Sequence, residues 1–130
     1  MSFLDSIKKY FTSPPATGNA QPFRDVDRDW RSMHTKIVGV TFRNDDGTLR
    51  QSNLAKVTEG DTLKILPYRY NGEPALGVYT VYDKMIGNIS KEIAADLDNE
   101  GHVHYYAMVE DTTGGGDKNI GCNITLYFSK

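Results

Sequence analysis

Apolar and polar residues alternate with a period of two over most of the chain after Lys36. This alternation is typical of β-strands that bury one face, and it predicts a first strand at Ile37–Phe42. The same pattern predicts five further strands: Thr62–Tyr68, Ala75–Tyr82, Met85–Ile89, His102–Glu110 and Asn119–Phe128. Turn-forming residues separate several of these segments, among them Asn44–Gly47 and the glycine run Gly114–Gly116. The chain is therefore expected to fold as a mostly β domain with local connections.

Two short helices are predicted between the strands. Leu49, Leu54 and Val57 recur at helical spacing after the first turn, and they predict one helix there. Ser90 is a favourable N-cap for a second helix at Lys91–Leu97. The predicted order is β-α-β-β-β-α-β-β, and six strands with local connections favour a closed or partly closed small barrel.

Residues 1–34 follow a different pattern and are predicted to form an N-terminal helical extension, with the β domain at residues 35–130. Its first part carries one apolar stripe at helical spacing: Phe3, Leu4, Ile7, Tyr10 and Phe11. A linker rich in proline and glycine follows at residues 13–20, and Phe23, Val26, Trp30 and Met33 predict a second short helix. Because a helix of about three turns is marginal alone in water, we expect the stripe to pack on the domain, on a second copy or on a partner protein.

The charge balance limits the classes of nucleic-acid binder that the chain can belong to. The 130 residues carry a formal charge of −2, from 15 basic and 17 acidic side chains. This balance argues against a sequence-blind electrostatic clamp, which needs many cations to neutralise phosphates. The single cysteine, Cys122, has no partner within the chain for a disulfide, and no segment resembles a signal peptide or a membrane span. A cytoplasmic protein that contacts no membrane is expected.

No catalytic centre is evident in the sequence. The glycine run at Gly114–Gly116 lacks the Lys-Ser/Thr pair of a phosphate loop, so a hairpin connection is predicted instead. His102 and His104 lie two residues apart on a predicted strand, but a metal-dependent hydrolase needs a third ligand that the sequence does not offer. We therefore predict no enzymatic activity, no metal and no cofactor.

The aromatic residues give the most informative signal. Tyr68, Arg69, Tyr70 and Asn71 form a compact aromatic, basic and amide cluster at a strand end. Exposed rings of this kind stack on nucleic-acid bases, with a gain of about 1–3 kcal/mol per base. Alternatively, the tyrosines pack beside the core with their hydroxyl groups outward. The residues alone leave both interpretations open.

The order of motifs from Lys36 onward resembles the HIRAN family. The resemblance is carried by five motifs at consistent spacing: Ile37–Phe42, Glu59–Ile65, Asn71–Ala75, Ile86–Ala94 and Ile124–Phe128. It covers most of residues 36–130. It is strongest to stand-alone bacterial members, whose pattern the pair Arg50-Gln51 fits. The resemblance implies a modified OB-like barrel that binds single-stranded DNA, in some members at a free 3′ end.

The resemblance also implies the residues of a ligand groove: Thr41, Phe42, Arg43, Tyr70, Asn71, Glu73, Asn88 and Lys91. Phe42 and Tyr70 are expected to stack on bases, while Arg43, Arg69 and Lys91 meet phosphates. Asn71, Glu73 and Asn88 are expected to bind polar groups of the strand. The DNA-binding form carries an Arg-Tyr pair in place of Thr41-Phe42 and a histidine in place of Asn88.

Two functions are therefore predicted from different classes. The first is a nucleic-acid-binding module that holds a single strand, DNA rather than RNA, in its groove. The second is a protein-interaction module that associates with itself or with a partner through the N-terminal helices. Between Lys36 and Lys130 there are 10 basic and 13 acidic residues, a net charge of −3, so strand binding is expected to be weak and salt-sensitive.

Overall fold

The computed structural model describes residues 28–130. The predicted amphipathic helix, the linker and the start of the predicted second helix lie outside the described residues. The elements are β1 (Arg31–Lys36), α1 (Arg50–Leu54), β2 (Thr62–Tyr70), β3 (Glu73–Tyr79), β4 (Met85–Asn88), α2 (Lys91–Asn99), β5 (His104–Gly115) and β6 (Lys118–Ser129). The strands form one antiparallel sheet in the order β1-β6-β5-β2-β3-β4. The predicted order of elements and the mostly β composition are confirmed.

The alternation of apolar residues places the core on one face of the sheet. In β2, Leu63 and Ile65 are fully buried, whereas Lys64 between them is partly exposed. Ala107 of β5 stands opposite both Leu63 and Leu126 of β6, so the buried residues of the central strands meet in register. Both helices contribute buried residues to the same cluster, and they therefore cover this face.

The first strand begins six residues earlier than predicted. Arg31–Lys36 pairs with β6 along its whole length, whereas Ile37–Phe42 forms no regular strand. The helix predicted through Trp30 and Met33 is therefore wrong over β1, because β6 offers this segment a complete ladder of backbone hydrogen bonds. Strand β1 also spans the predicted boundary between residues 34 and 35.

The sheet does not close into a barrel. Strands β1 and β4 are its edges, and they do not pair with each other. The chain after β1 nevertheless reaches β4 at one point, where Val38 and Asn88 exchange two backbone hydrogen bonds of 2.8 and 2.9 Å. This single bridge holds the segment after β1 beside the end of the β3–β4 pair.

A tight turn and a capped helix complete the surroundings of that bridge. Strands β2 and β3 are joined by Asn71 and Gly72, whose φ values of 52° and 82° are those of a type I′ hairpin turn. Ser90 caps α2, since its side-chain oxygen accepts a hydrogen bond of 3.3 Å from the backbone N–H of Ile93. Lys91 is thereby fixed at the first position of α2.

Cys122 lies in β6 and is fully buried. Burial, with a smaller contribution from Asp111, raises the pKa of its thiol to about 12. The thiol is therefore protonated at neutral pH and is unreactive in the folded protein. No helix within residues 28–130 is long and apolar enough to cross a membrane.

Candidate nucleic-acid interface

A groove of about 490 Å³ opens where the segment after β1, the β2–β3 hairpin and the start of α2 meet. We call it the hairpin groove. Its lining includes six of the residues that the sequence predicts for the site: Phe42, Tyr70, Asn71, Glu73, Asn88 and Lys91. Tyr68 of the predicted aromatic cluster also lines it, and so does Arg50, which the sequence did not indicate as a site residue.

Two aromatic rings stand on the rim of the hairpin groove and are largely exposed. Phe42 is 62 % exposed and Tyr70 is 68 % exposed. Phe42 comes from the segment after β1, whereas Tyr70 is the last residue of strand β2. Exposed aromatic faces can stack on planar groups such as bases.

The buried centre of the groove is the guanidinium of Arg50. This residue is only 9 % exposed. Its Nε donates a hydrogen bond of 2.8 Å to Asn44 Oδ1, and Nη1 donates one of 2.7 Å to the carbonyl oxygen of Gly39. Nη1 also lies 3.2 Å from Asn88 Oδ1, and Nη2 lies 3.2 Å from the sulfur of Met85. All of these acceptors are neutral.

Asn88 connects the guanidinium to the hairpin. Its amide oxygen accepts from Arg50, and its amide nitrogen donates a hydrogen bond of 2.6 Å to Tyr68 Oη. The nitrogen also lies 3.4 Å from the carbonyl oxygen of Leu76. We call these three hydrogen-bonded residues, Arg50, Asn88 and Tyr68, the groove floor. Both ends of its amide are engaged by protein groups, so Asn88 links Arg50 to Tyr68 within the groove.

Three predicted site residues do not line the hairpin groove. Arg69 lies between Tyr68 and Tyr70 on β2, and its Nη2 is 3.8 Å from a carboxylate oxygen of Asp98. The guanidinium of Arg43 donates a hydrogen bond of 2.9 Å to the carbonyl oxygen of Gly47 in the next turn. Thr41 is exposed in the turn after β1. The phosphate contacts expected of Arg43 and Arg69 are therefore not available in the groove.

The net charge of the groove lining is opposite in sign to the net charge of the whole chain. The lining contains two cations, Arg50 and Lys91, and one carboxylate, Glu73. Arg50 also lies 5.4 Å from the centre of the Phe42 ring, a cation–π contact that ties the rim to the floor. The groove thus carries a local positive charge in a chain whose net charge is −2.

Arg50 is the residue that the sequence analysis missed. Its helix, α1, spans only Arg50–Leu54 and begins directly after a polar turn, a position where arginine is usually solvated. The sequence signal that could have indicated Arg50 was the pair Arg50-Gln51, which is part of the resemblance described above. Within residues 28–130 no three His, Cys, Asp or Glu side chains come together as metal ligands.

No family model and no curated protein matches the chain. It is similar to a crystal structure of a protein from Lactobacillus plantarum determined by the Northeast Structural Genomics Consortium. The TM-score is 0.54 at 16 % sequence identity, and the match covers 78 % of this chain and 100 % of that chain. At this identity the similarity concerns the fold alone. The chain therefore shares a small β-rich fold with that protein.

Proposed function

We propose that this protein binds single-stranded nucleic acid, DNA rather than RNA, in the hairpin groove. The observation that carries the proposal is that two exposed rings, Phe42 and Tyr70, and a buried cation, Arg50, line the same groove. A single strand offers unstacked bases for the rings and phosphates for the cation. In this proposal the protein is a binding module without a catalytic step.

The expected energetics are those of a weak, salt-sensitive binder. Stacking on Phe42 and Tyr70 contributes about 1–3 kcal/mol for each base. Arg50 and Lys91 supply the charge for phosphate contacts, and Glu73 with Asn71 faces the polar groups of the sugar or base edge. Because only two cations line the groove, affinity depends on a few phosphates and falls as the salt concentration rises.

The proposal includes membership of the HIRAN family and its modified OB-like barrel. The position of the groove supports it, since the residues that the resemblance implies come from the segment after β1, the β2–β3 hairpin and the start of α2. The bridge between Val38 and Asn88 supports it as well, because it connects the segment after β1 to β4, the strand at the other edge of the sheet. The DNA-binding form of the family has an Arg-Tyr pair at the position of Thr41-Phe42, and in this proposal Arg50 supplies the cation from α1 instead.

The test is a fluorescence anisotropy titration of labelled oligothymidine, about ten nucleotides long, at low salt. We expect saturable binding, and we expect Phe42→Ala and Tyr70→Ala each to weaken it about tenfold through the loss of one stacked base. Tyr82→Ala is the matched control. This tyrosine is 82 % exposed in the turn between β3 and β4 and does not line the groove, so its loss leaves affinity unchanged.

A strand with a 3′ phosphate, compared with a 3′ hydroxyl, separates end capture from general strand binding. Weaker binding of the 3′ phosphate indicates that Glu73 accepts from the terminal hydroxyl, whereas equal binding indicates a groove that holds any part of the strand. The proposal fails if oligothymidine does not bind at low salt, or if Tyr82→Ala weakens binding as much as Tyr70→Ala. Association through residues 3–11 then becomes the function to test.

A further inference from the structure

We propose that the groove floor is a phosphate-binding site, in which one phosphate group lies between the Arg50 guanidinium and the Tyr68 hydroxyl. This inference deepens the proposed function, since it fixes how a strand lies in the groove. The phosphate faces inward toward the floor, and the neighbouring bases turn outward to the rings of Phe42 and Tyr70.

The first step concerns the charge of Arg50. Arg50 is nine-tenths buried, and every group that accepts a hydrogen bond from its guanidinium is neutral. No described carboxylate forms an ion pair with it. Buried charges in proteins are usually paired, because a charge removed from water without a counter-ion is unfavourable. An anionic ligand on the open side of the groove supplies the missing counter-ion.

The second step concerns the direction of the hydrogen bonds along the floor. Tyr68 Oη accepts the hydrogen bond from Asn88 Nδ2, so the tyrosine keeps its own hydroxyl proton for another acceptor. Among the described residues no group accepts that proton. At the other end, Asn88 Oδ1 is already used by Arg50. The floor therefore offers the groove a cation and a free hydroxyl proton, while its two side-chain acceptor oxygens already receive hydrogen bonds.

The third step identifies the ligand group that such a floor selects. A surface of donors that carries a positive charge fits a group that only accepts hydrogen bonds and is negative, and a phosphate diester has both properties. A sugar hydroxyl would leave the charge of Arg50 unbalanced. Glu73 repels a phosphate at its part of the rim, whereas Lys91 attracts one at the start of α2. These charges orient the strand so that its phosphate lies on the floor.

The direct test uses inorganic phosphate and ¹H–¹⁵N NMR of the full chain, with chloride at matched ionic strength as the reference. We expect saturable shifts of the Arg50 Nε–H and the Asn88 side-chain amide that chloride does not produce. Tyr68→Phe keeps the ring and removes only the hydroxyl, and we expect it to weaken phosphate binding about tenfold. Tyr82→Phe is the matched control and is expected to bind as the unaltered protein does. Absence of saturable shifts at these two groups overturns the inference.

A second measurement separates the failure of this inference from the failure of the proposed function. Oligothymidine with a neutral methylphosphonate backbone is titrated beside ordinary oligothymidine by anisotropy. We expect the neutral strand to bind at least about tenfold more weakly, because the floor loses its anionic partner. Equal affinity of the two strands overturns the phosphate site and leaves strand binding by stacking in place. If neither strand binds, the proposed function fails, and the titration with inorganic phosphate alone decides whether the floor holds an anion.

Discussion

Gly87→Ala is expected to lower the free energy of unfolding by about 3 kcal/mol, because the added methyl group has no space between the two segments. A Cβ atom at Gly87 would lie 2.2 Å from Cγ2 of Ile37 and 2.7 Å from the carbonyl oxygen of Val38. Both neighbours are fixed, because Ile37 is buried and Val38 bridges to Asn88. The added methyl group must therefore push the segment after β1 away from β4, and the hairpin groove widens with it.

Gly101→Ala is the control for this substitution. Gly101 has a φ of +85° and no atom within 4 Å of the position of a Cβ, so alanine there meets only backbone strain. The left-handed conformation costs about 1 kcal/mol for a residue with a Cβ. Urea denaturation of both variants compares a steric cost with a conformational one. A Gly87→Ala protein that is at least as stable as Gly101→Ala would contradict the close approach of the two segments.

Arg50→Ala is expected to lower the free energy of unfolding by about 2 kcal/mol. Removal of the guanidinium leaves three oxygen acceptors without their donor: Asn44 Oδ1, the carbonyl oxygen of Gly39 and Asn88 Oδ1. Relief from burying a charge opposes this loss. The lost hydrogen bonds outweigh this relief, because the guanidinium donates to several protein groups at once and alanine replaces none of them. The variant is therefore expected to be less stable.

Arg43→Ala is the matched control for Arg50. Its guanidinium is exposed and makes one hydrogen bond, to the carbonyl oxygen of Gly47, so we expect a change within about 0.5 kcal/mol. Arg50→Lys keeps the charge but not the forked geometry, and we expect it to recover less than half of the loss. Urea denaturation that finds Arg50→Ala as stable as the unaltered protein would show that desolvation of the charge outweighs its hydrogen bonds.

The regular strands were predictable because burial on one face leaves a period of two in the sequence. The alternation of Leu63 and Ile65 with Lys64 is an example, and the predicted strand there lies within β2. The first strand was not predictable in the same way. Most side chains of Arg31–Lys36 are exposed or only partly buried, since an edge strand needs few apolar residues, and its pairing is set by the distant strand β6. Apolar Ile37 and Val38 give a stronger local pattern, although tertiary contacts place them in a crossing segment.

The cations of the candidate site were also only partly predictable from the local sequence pattern. Strand alternation alone separates Arg69 from Tyr68 and Tyr70, so its place outside the groove follows from the pattern once β2 is known. Arg50 had no such signal. Its burial arises from long-range hydrogen bonds to Gly39 and Asn88, which no local pattern encodes. Six of the predicted residues line the groove, whereas Arg50, the buried cation in the same lining, was not predicted.

The measurement that tests strand binding in the hairpin groove most directly is a ¹H–¹⁵N NMR titration with oligothymidine of about ten nucleotides at low salt. Strand binding in the groove predicts saturable shifts centred on the backbone amides of Phe42, Tyr70 and Lys91, which come from three different elements. The turn around Tyr82 is expected to remain unchanged. Absence of saturable shifts, or shifts centred on that turn, would contradict the assignment of the groove as a nucleic-acid site.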